Sequence, residues 1–241
     1  MEKSLINRII EQNKQIPEDR KRFSNIELKN LIFPIIVEQF LALLVGIADT
    51  LMVSHVGEAA VSSVSLVNQL NNVFIMVFSA LASGGAVVAS QYIGSNEREK
   101  GTQAASQLVM ITGMISVITT VLLLMFGRQV FGLLFGQVEE AVLESGLVYL
   151  RISAYSFPFL AVYNACAGLF RSMGKTKVIM EVSIIMNIIN VAGNAIGVFA
   201  LHAGVAGVAY PSLISRIFAG NGRSLRLYNL TLIFRECLCK D

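Results

Sequence analysis

A carboxylate stands inside the first long apolar stretch of the chain. The stretch runs from Leu31 to Val53 and contains Asp49. As a helix it would be about 34 Å long, enough to cross a hydrocarbon core about 30 Å thick. A charged side chain at that depth is costly and usually faces a bundle interior or a water-filled cavity. The pattern therefore predicts a membrane helix with a functional Asp49; an acid bonded to nearby backbone or hydroxyl groups is the structural alternative.

The composition indicates an all-α integral membrane protein. Hydrophobic residues make up 54% of the 241 residues and charged residues only 15%, against about 25% charged residues in soluble domains. Residues 1–30 are polar and the first apolar stretch is too long for the core of a signal peptide, so we expect no cleaved leader. The net charge of +3 comes without an aromatic-interleaved basic patch, which argues against nucleic-acid binding.

The apolar segments predict about six transmembrane helices that form one lobe. After the first helix, Pro158 predicts a kink in the fourth, and the connection 127–146 predicts an amphipathic helix along the outer surface. The sixth segment is short and includes Arg216. The predicted segments after the first are Leu66–Gln91, Leu108–Phe126, Leu147–Phe170, Val178–Leu201 and about Val205–Ala219.

Lysine and arginine are distributed unevenly among the connections. Twelve lie in residues 1–30 and in the loops 92–102 and 171–177, against two, Arg128 and Arg151, in the alternate connections. Positive residues favour the cytoplasmic side of a membrane. We therefore expect a multi-pass protein of the cell membrane with a cytoplasmic amino terminus.

The sequence divides into three parts. Residues 1–30 are predicted to be a cytoplasmic tail and residues 31–220 a transmembrane lobe. After Gly220 the composition changes abruptly to a polar, basic tail, 221–241. We expect this tail to result from a truncation or a change of reading frame, because a full sixth span would otherwise need charged positions inside the membrane.

Polar side chains recur on several predicted helices. Asn187, Asn190 and Asn194 fall on one face of the fifth helix, as Glu38 and Asp49 do on the first. Amide carbonyl oxygens can replace the hydration shell of a cation, and amide N–H groups can hold a carboxylate, so an asparagine face opposite Asp49 predicts a site for H⁺ or Na⁺. The alternative is that the amides hold helices together. Glu38 is a weaker candidate for lining a cleft.

Further polar residues open the second helix. Asn68 and Asn72 are predicted either to line an aqueous cleft or to cap the first turn. No catalytic motif is evident and Cys237 and Cys239 are too few for a typical zinc site, so we expect no enzyme, no cofactor and no metal beyond Na⁺ at Asp49.

Four segments together resemble the multidrug and toxic compound extrusion (MATE) family of cation-coupled antiporters. The resemblance covers about residues 31–218. The segments that carry it are FPIIVEQFLALLVGIADTLMVSHVGEAAVSSVSL, GGAVVASQYIGSNEREKG, LFRSMGKTK and NVAGNAIGVFALHAGVAGVAYPSLISR.

The resemblance implies a function and a site. It implies H⁺- or Na⁺-driven export of drug-like or xenobiotic organic compounds, with Asp49, Asn190, Asn194 and Ser212 at the cation-binding positions. Some members carry an acid at the position of Asn194, which leaves the coupling ion open. Family members are built from two six-helix lobes, so the resemblance covers only the amino-terminal lobe.

Two other readings stay open. The chain could be a non-transporting fragment or a half-transporter that requires a separate second lobe. A lipid-linked oligosaccharide flippase of the related superfamily is a third reading, disfavoured because such proteins rely on cationic cavities and no lysine lies within the five full spans.

Overall fold

The computed structural model describes residues 25–136 and 138–220, and their regular structure is entirely helical. The predicted tail 221–241 and most of the tail 1–30 lie outside the described residues. Helix α6, Thr176–Ala195, continues into a π-helical turn, Ile196–Ala200. The α-helices are α1 Asn25–Ser54, α2 Glu58–Gly94, α3 Arg98–Phe135, α4 Glu140–Tyr155, α5 Phe157–Ser172, α6 Thr176–Ala195 and α7 Ala206–Gly220.

The all-α membrane fold predicted from the sequence is confirmed. Among the described residues, four helices are long and apolar enough to cross a membrane, and α4 and α5 make a fifth span if counted together. The four are α1, α2, α3 and α6 with its π-helical turn. The sixth predicted span is present as α7, which has 15 residues in the described part of the chain. This described part is shorter than a typical transmembrane helix of about 20 residues.

The predicted kink in the fourth span is confirmed. Helices α4 and α5 meet at a bend of 48°. Ser156 separates them, and Pro158 occupies the first turn of α5, where the missing proline N–H breaks no helical hydrogen bond. The bend therefore lies just before the proline.

The predicted surface helix over 127–146 is wrong. Residues up to Phe135 continue α3, and Glu140 already begins α4. Phe131 is fully buried and packs against Phe135 one turn later, with ring centroids 4.9 Å apart, whereas Leu133 and Leu134 are exposed. The segment therefore extends the third span, with Phe131 facing the core, instead of forming a separate element.

The core lies among α2, α4 and α5, with the other helices around it. Phe78 and Phe157 are fully buried there, with ring centroids 5.9 Å apart. Helix α1 packs on α6 and is otherwise largely exposed, as expected for a helix facing lipid or another transmembrane element. This pairing of α1 with α6 brings together residues that are far apart in sequence.

Glycines allow α6 and its π-helical turn to lie close against α7. A Cβ added at Gly197 would overlap the Gly207 backbone, and one added at Gly193 would come 2.5 Å from the Pro211 Cβ. Small residues permit such close helix packing in lipid. The close packing carries the polar side chains of α6 to within hydrogen-bonding distance of α7.

Candidate functional site

Asp49 and Asn194 join α1 to α6 in the membrane-spanning part of the lobe. The Asn194 Nδ2 donates a hydrogen bond of 2.6 Å to the Asp49 Oδ1. Asn194 is fully buried, whereas Asp49 is half-buried. Hydrogen bonds to an ionised carboxylate are shorter and stronger than neutral ones. The hydrogen bond therefore fixes the Asp49 carboxylate, and part of this carboxylate remains accessible to an ion.

The hydrogen bonds continue from Asn194 to α7. The Asn194 Nδ2 also donates to the Asn190 Oδ1 over 3.2 Å, and the Asn190 Nδ2 donates to the Ser212 Oγ over 2.8 Å. The Ser212 hydroxyl donates to the Val208 carbonyl over 3.1 Å. The four residues that the sequence singled out as cation-binding candidates thus form one connected chain of hydrogen bonds across three helices.

Local backbone geometry explains the arrangement. Asn190 and Asn194 are one turn apart on α6, so their side chains lie on the same face. Immediately after them the helix widens into its π-helical turn, and such turns often occur at functional sites. On α7, Pro211 lacks the N–H that would bond to the Gly207 carbonyl, so one helical hydrogen bond is missing one turn before Ser212.

Some polar atoms near this face have no hydrogen-bond partner among the described residues. They are the Oδ1 of Asn194 and the Nδ2 of Asn187, both buried. Buried polar atoms without a partner cost free energy and call for an explanation. The Asn194 oxygen belongs to the amide that already bonds to Asp49, so an acceptor without a partner lies beside the carboxylate.

Glu38 has a different environment from Asp49. Its Oε1 accepts a hydrogen bond of 2.7 Å from the Arg171 Nη2, which makes an ion pair between α1 and the end of α5. Only 11% of the Glu38 side chain is exposed. The ion pair fixes the middle of α1 to the lobe, and the cleft-lining role of Glu38 stays a prediction.

The two asparagines predicted at the start of the second helix differ from each other. Asn68 accepts a hydrogen bond of 3.2 Å from the Tyr149 hydroxyl, so it links α2 to α4. Asn72 is exposed on the surface of α2. Neither caps the helix, because α2 begins at Glu58. The capping interpretation is therefore wrong, and Asn68 connects helices within the lobe.

Arg216 is a functional candidate that the sequence analysis did not include. Its Nη1 donates a hydrogen bond of 2.7 Å to the Ser156 Oγ, at the break between α4 and α5. It also interacts electrostatically with Asp49 and Tyr149. In the sequence, Arg216 is visible as a charge in an apolar segment, a pattern that also fits a shortened sixth span.

The comparisons with known proteins agree on one family. The family model described as MatE matches residues 34–196. The chain is 30% identical over 194 residues to "Uncharacterized transporter YisQ" of Bacillus subtilis, covering 79% of this chain and 42% of that protein. It is 29% identical over 215 residues to "Probable multidrug resistance protein NorM" of Thermotoga maritima, covering 86% and 44%.

A solved structure shows the same fold. "Outward-facing conformation of a multidrug resistance MATE family transporter of the MOP superfamily" matches with a TM-score of 0.75 and 18% identity, covering 88% of this chain and 50% of that one. The chain thus spans about half the length of the relatives it matches. Because the family model matches well over half of the chain, the protein belongs to the MatE family.

Proposed function

We propose that this chain forms the cation-coupled lobe of an antiporter that exports drug-like or xenobiotic organic compounds across the cell membrane. Its amino terminus is cytoplasmic in this proposal, as the distribution of lysine and arginine indicates. The observation that carries the proposal is the chain of hydrogen bonds from Asp49 through Asn194 and Asn190 to Ser212.

The chemistry of these groups suits either H⁺ or Na⁺. With Asp49 ionised, its oxygen accepts from the Asn194 amide. A proton on Asp49 would turn this acceptor into a donor, and rotation of the Asn194 amide would offer its buried Oδ1, which lacks a partner. A Na⁺ ion would instead gather oxygens from Asp49, the two asparagines and Ser212, the ligand type that hard cations prefer.

Cation binding here would change how the helices pack. Asp49 is on α1 and the amides are on α6, so their hydrogen bond contributes to the seating of α1 on the lobe. Rearranging that bond would favour one position of α1 over another. An ion can drive transport only if its affinity differs between two such states.

We further propose that the organic compound binds between this lobe and a second one. The matched relatives are about twice as long as this chain, and transporter binding sites commonly lie between repeated lobes. Helix α1, with half-buried Asp49, is largely exposed in this lobe. A second lobe facing it would enclose the polar site from the side that is open here.

Ion binding by the purified chain tests the first part of the proposal. Binding of ²²Na⁺, and proton uptake measured with a pH indicator, would be compared in wild type, Asp49→Asn and Thr50→Ala. Thr50 is the matched control, because it neighbours Asp49 but its hydroxyl bonds only to Gly46 of its own helix. We expect Asp49→Asn to abolish binding of one of the two ions; unchanged binding of both would refute the site.

Efflux tests the second part. The chain would be expressed in efflux-deficient bacteria, alone and with the carboxy-terminal half of a two-lobe relative, and ethidium accumulation would be followed. We expect lowered accumulation only when both lobes are present, and loss of the effect in Asp49→Asn. Ion binding without efflux in either arrangement would instead support a non-transporting half.

A further inference from the structure

The two histidines of the protein line one cavity. His55 follows the end of α1, and His202 lies in the connection between the π-helical turn and α7. The cavity has a volume of about 320 Å³ and is also lined by Val56, Val198, Phe199 and Gly204. The sequence contains only these two histidines. Their presence in one cavity is not explained by the proposed transport site.

The surroundings of His55 leave one ring nitrogen free to bind a ligand. The Nδ1 lies 3.0 Å from the Leu51 carbonyl oxygen. A carbonyl oxygen only accepts, so in this hydrogen bond Nδ1 carries the hydrogen and Nε2 of the neutral ring keeps its lone pair. The Phe199 ring packs against the imidazole edge to face, with centroids 5.3 Å apart. Metal-binding histidines are typically oriented by such a bond to a backbone carbonyl.

His202 is held at the cavity by an unusual backbone conformation. Its φ of 47° lies in the left-handed region, which it shares with only one other non-glycine residue, Asn96, among residues 25–136 and 138–220. This conformation is unfavourable for most side chains and tends to occur at functional positions. A hydrogen bond of 3.1 Å from the Ala203 N–H to the Gly197 carbonyl fixes the turn.

We propose that His55 and His202 together bind one divalent transition-metal ion, with Zn²⁺ as the representative. Imidazole nitrogen suits Zn²⁺, Cu²⁺ and Ni²⁺, whereas Mg²⁺ and Ca²⁺ prefer oxygen ligands. In the part of the chain that the structure describes, no third histidine, cysteine or carboxylate completes a metal cluster. Water therefore fills the remaining positions, and the ion exchanges readily.

The position of the site gives binding a structural consequence. His55 lies six residues beyond Asp49, about 9 Å along the helix axis. His202 follows the helix that carries Asn194. A bound ion would therefore tie the end of α1 to the α6–α7 connection, next to the contact between α1 and α6 that the proposed cation site uses. The metal site itself requires neither ion coupling nor transport.

Zinc titration of the purified, untagged chain tests the proposal. The protein would carry Cys237→Ser and Cys239→Ser, because these thiols are alternative zinc ligands. Isothermal titration calorimetry is expected to show one Zn²⁺ ion bound, and no binding of Mg²⁺ or Ca²⁺ at the same concentrations. His55→Gln and His202→Asn should each weaken Zn²⁺ binding at least tenfold. Asn suits position 202 because it tolerates a positive φ, and Ser54→Ala is the matched control.

Electron paramagnetic resonance of bound Cu²⁺ provides a second readout. Two imidazole nitrogens on one copper are expected in the parent protein, and one in each histidine variant. Zinc binding that survives either substitution, or a copper spectrum with a single imidazole in the parent protein, would overturn the proposal. Circular dichroism of each variant verifies that the helices are intact. Since these measurements need no transport, a negative result leaves the proposed efflux function standing.

Discussion

The guanidinium of Arg216 donates a 2.7 Å hydrogen bond to the Ser156 hydroxyl, which links α7 to the break between α4 and α5. Ser156 is fully buried, and its hydroxyl also donates to the Ser153 carbonyl over 2.6 Å. The break is the 48° bend of the fourth span. A buried serine at the bend thus receives a charged partner from the last described helix.

Arg216→Gln is expected to lower the free energy of unfolding by about 1 to 3 kcal/mol, because Ser156 loses a charged donor inside the lobe. Thermal unfolding in detergent measures the change. Arg128→Gln is the matched control: Arg128 pairs with Glu140 at the surface, where both side chains are exposed, and such pairs contribute little. Equal melting temperatures for the two variants would contradict the structural role.

Hydropathy predicts the membrane-spanning helices but not the continuation of α3 to Phe135, and spacing places Asn190 and Asn194 on one face. Partners distant in sequence were not predictable in this way. Within its own segment Arg216 is only a charge that is unfavourable in the membrane. Its hydrogen-bond partner, Ser156, lies in a distant part of the sequence. Arg171 was assigned to membrane topology and Glu38 to a cleft, although the two form a pair. A local sequence pattern indicates that a polar side chain is unfavourable in lipid. Only the packing of the helices shows which partner compensates for that free energy.

The ion pair between Glu38 and Arg171 predicts non-additive substitutions. Its atoms are 2.7 Å apart, and both side chains are at least partly buried. Glu38→Gln or Arg171→Gln alone should each lower stability by about 1 to 3 kcal/mol, because the remaining charge loses its partner. The double variant should lose less than the sum of the single losses. Thermal unfolding of the wild type, the two single variants and the double variant gives the coupling free energy between Glu38 and Arg171. Strictly additive losses of stability would argue against the ion pair.

The hydrogen bond between Tyr149 and Asn68 predicts a loss of stability without a loss of ion binding. Tyr149→Phe removes one donor from a buried ring and should cost about 1 kcal/mol. Asn72→Ala, at an exposed position on the same helix as Asn68, should change stability little. Melting temperatures and ²²Na⁺ binding would be measured on both variants. Impaired ion binding in Tyr149→Phe would mean that this residue belongs to the cation site.

The close approach of Gly197 to Gly207 predicts that a single methyl group disturbs the lobe. In Gly197→Ala the new Cβ meets backbone, which cannot rotate away, and overpacking typically costs about 1 to 3 kcal/mol. Gly84→Ala is the matched control, because an added Cβ there meets nothing within 4 Å and alanine favours a helix. The melting temperature should therefore fall in Gly197→Ala and rise in Gly84→Ala. A Gly197→Ala protein as stable as wild type would show that α7 shifts freely.

A second carboxylate beside Asp49 is expected to strengthen cation binding at the proposed site. Asn194→Asp places an acid where the amide now lies 2.6 Å from the Asp49 oxygen, and two negative charges attract a cation more strongly than one. Where Na⁺ is the ion that Asp49 binds, we expect its affinity to rise about tenfold, equivalent to about 1.4 kcal/mol. Isothermal titration calorimetry with NaCl in a choline chloride buffer measures it.

Asn187→Asp is the matched control for the Asn194→Asp experiment. It introduces the same charge on the same helix, but Asn187 lies two turns from Asn194 and outside the chain of hydrogen bonds to Asp49. The rise in Na⁺ affinity should be clearly smaller in Asn187→Asp, because the attraction between the new carboxylate and the cation falls with distance. Equal tightening in both variants would indicate a general effect of charge on the lobe. No tightening in Asn194→Asp would place the bound cation away from Asn194, and the proposed coupling through the contact between α1 and α6 would then fail.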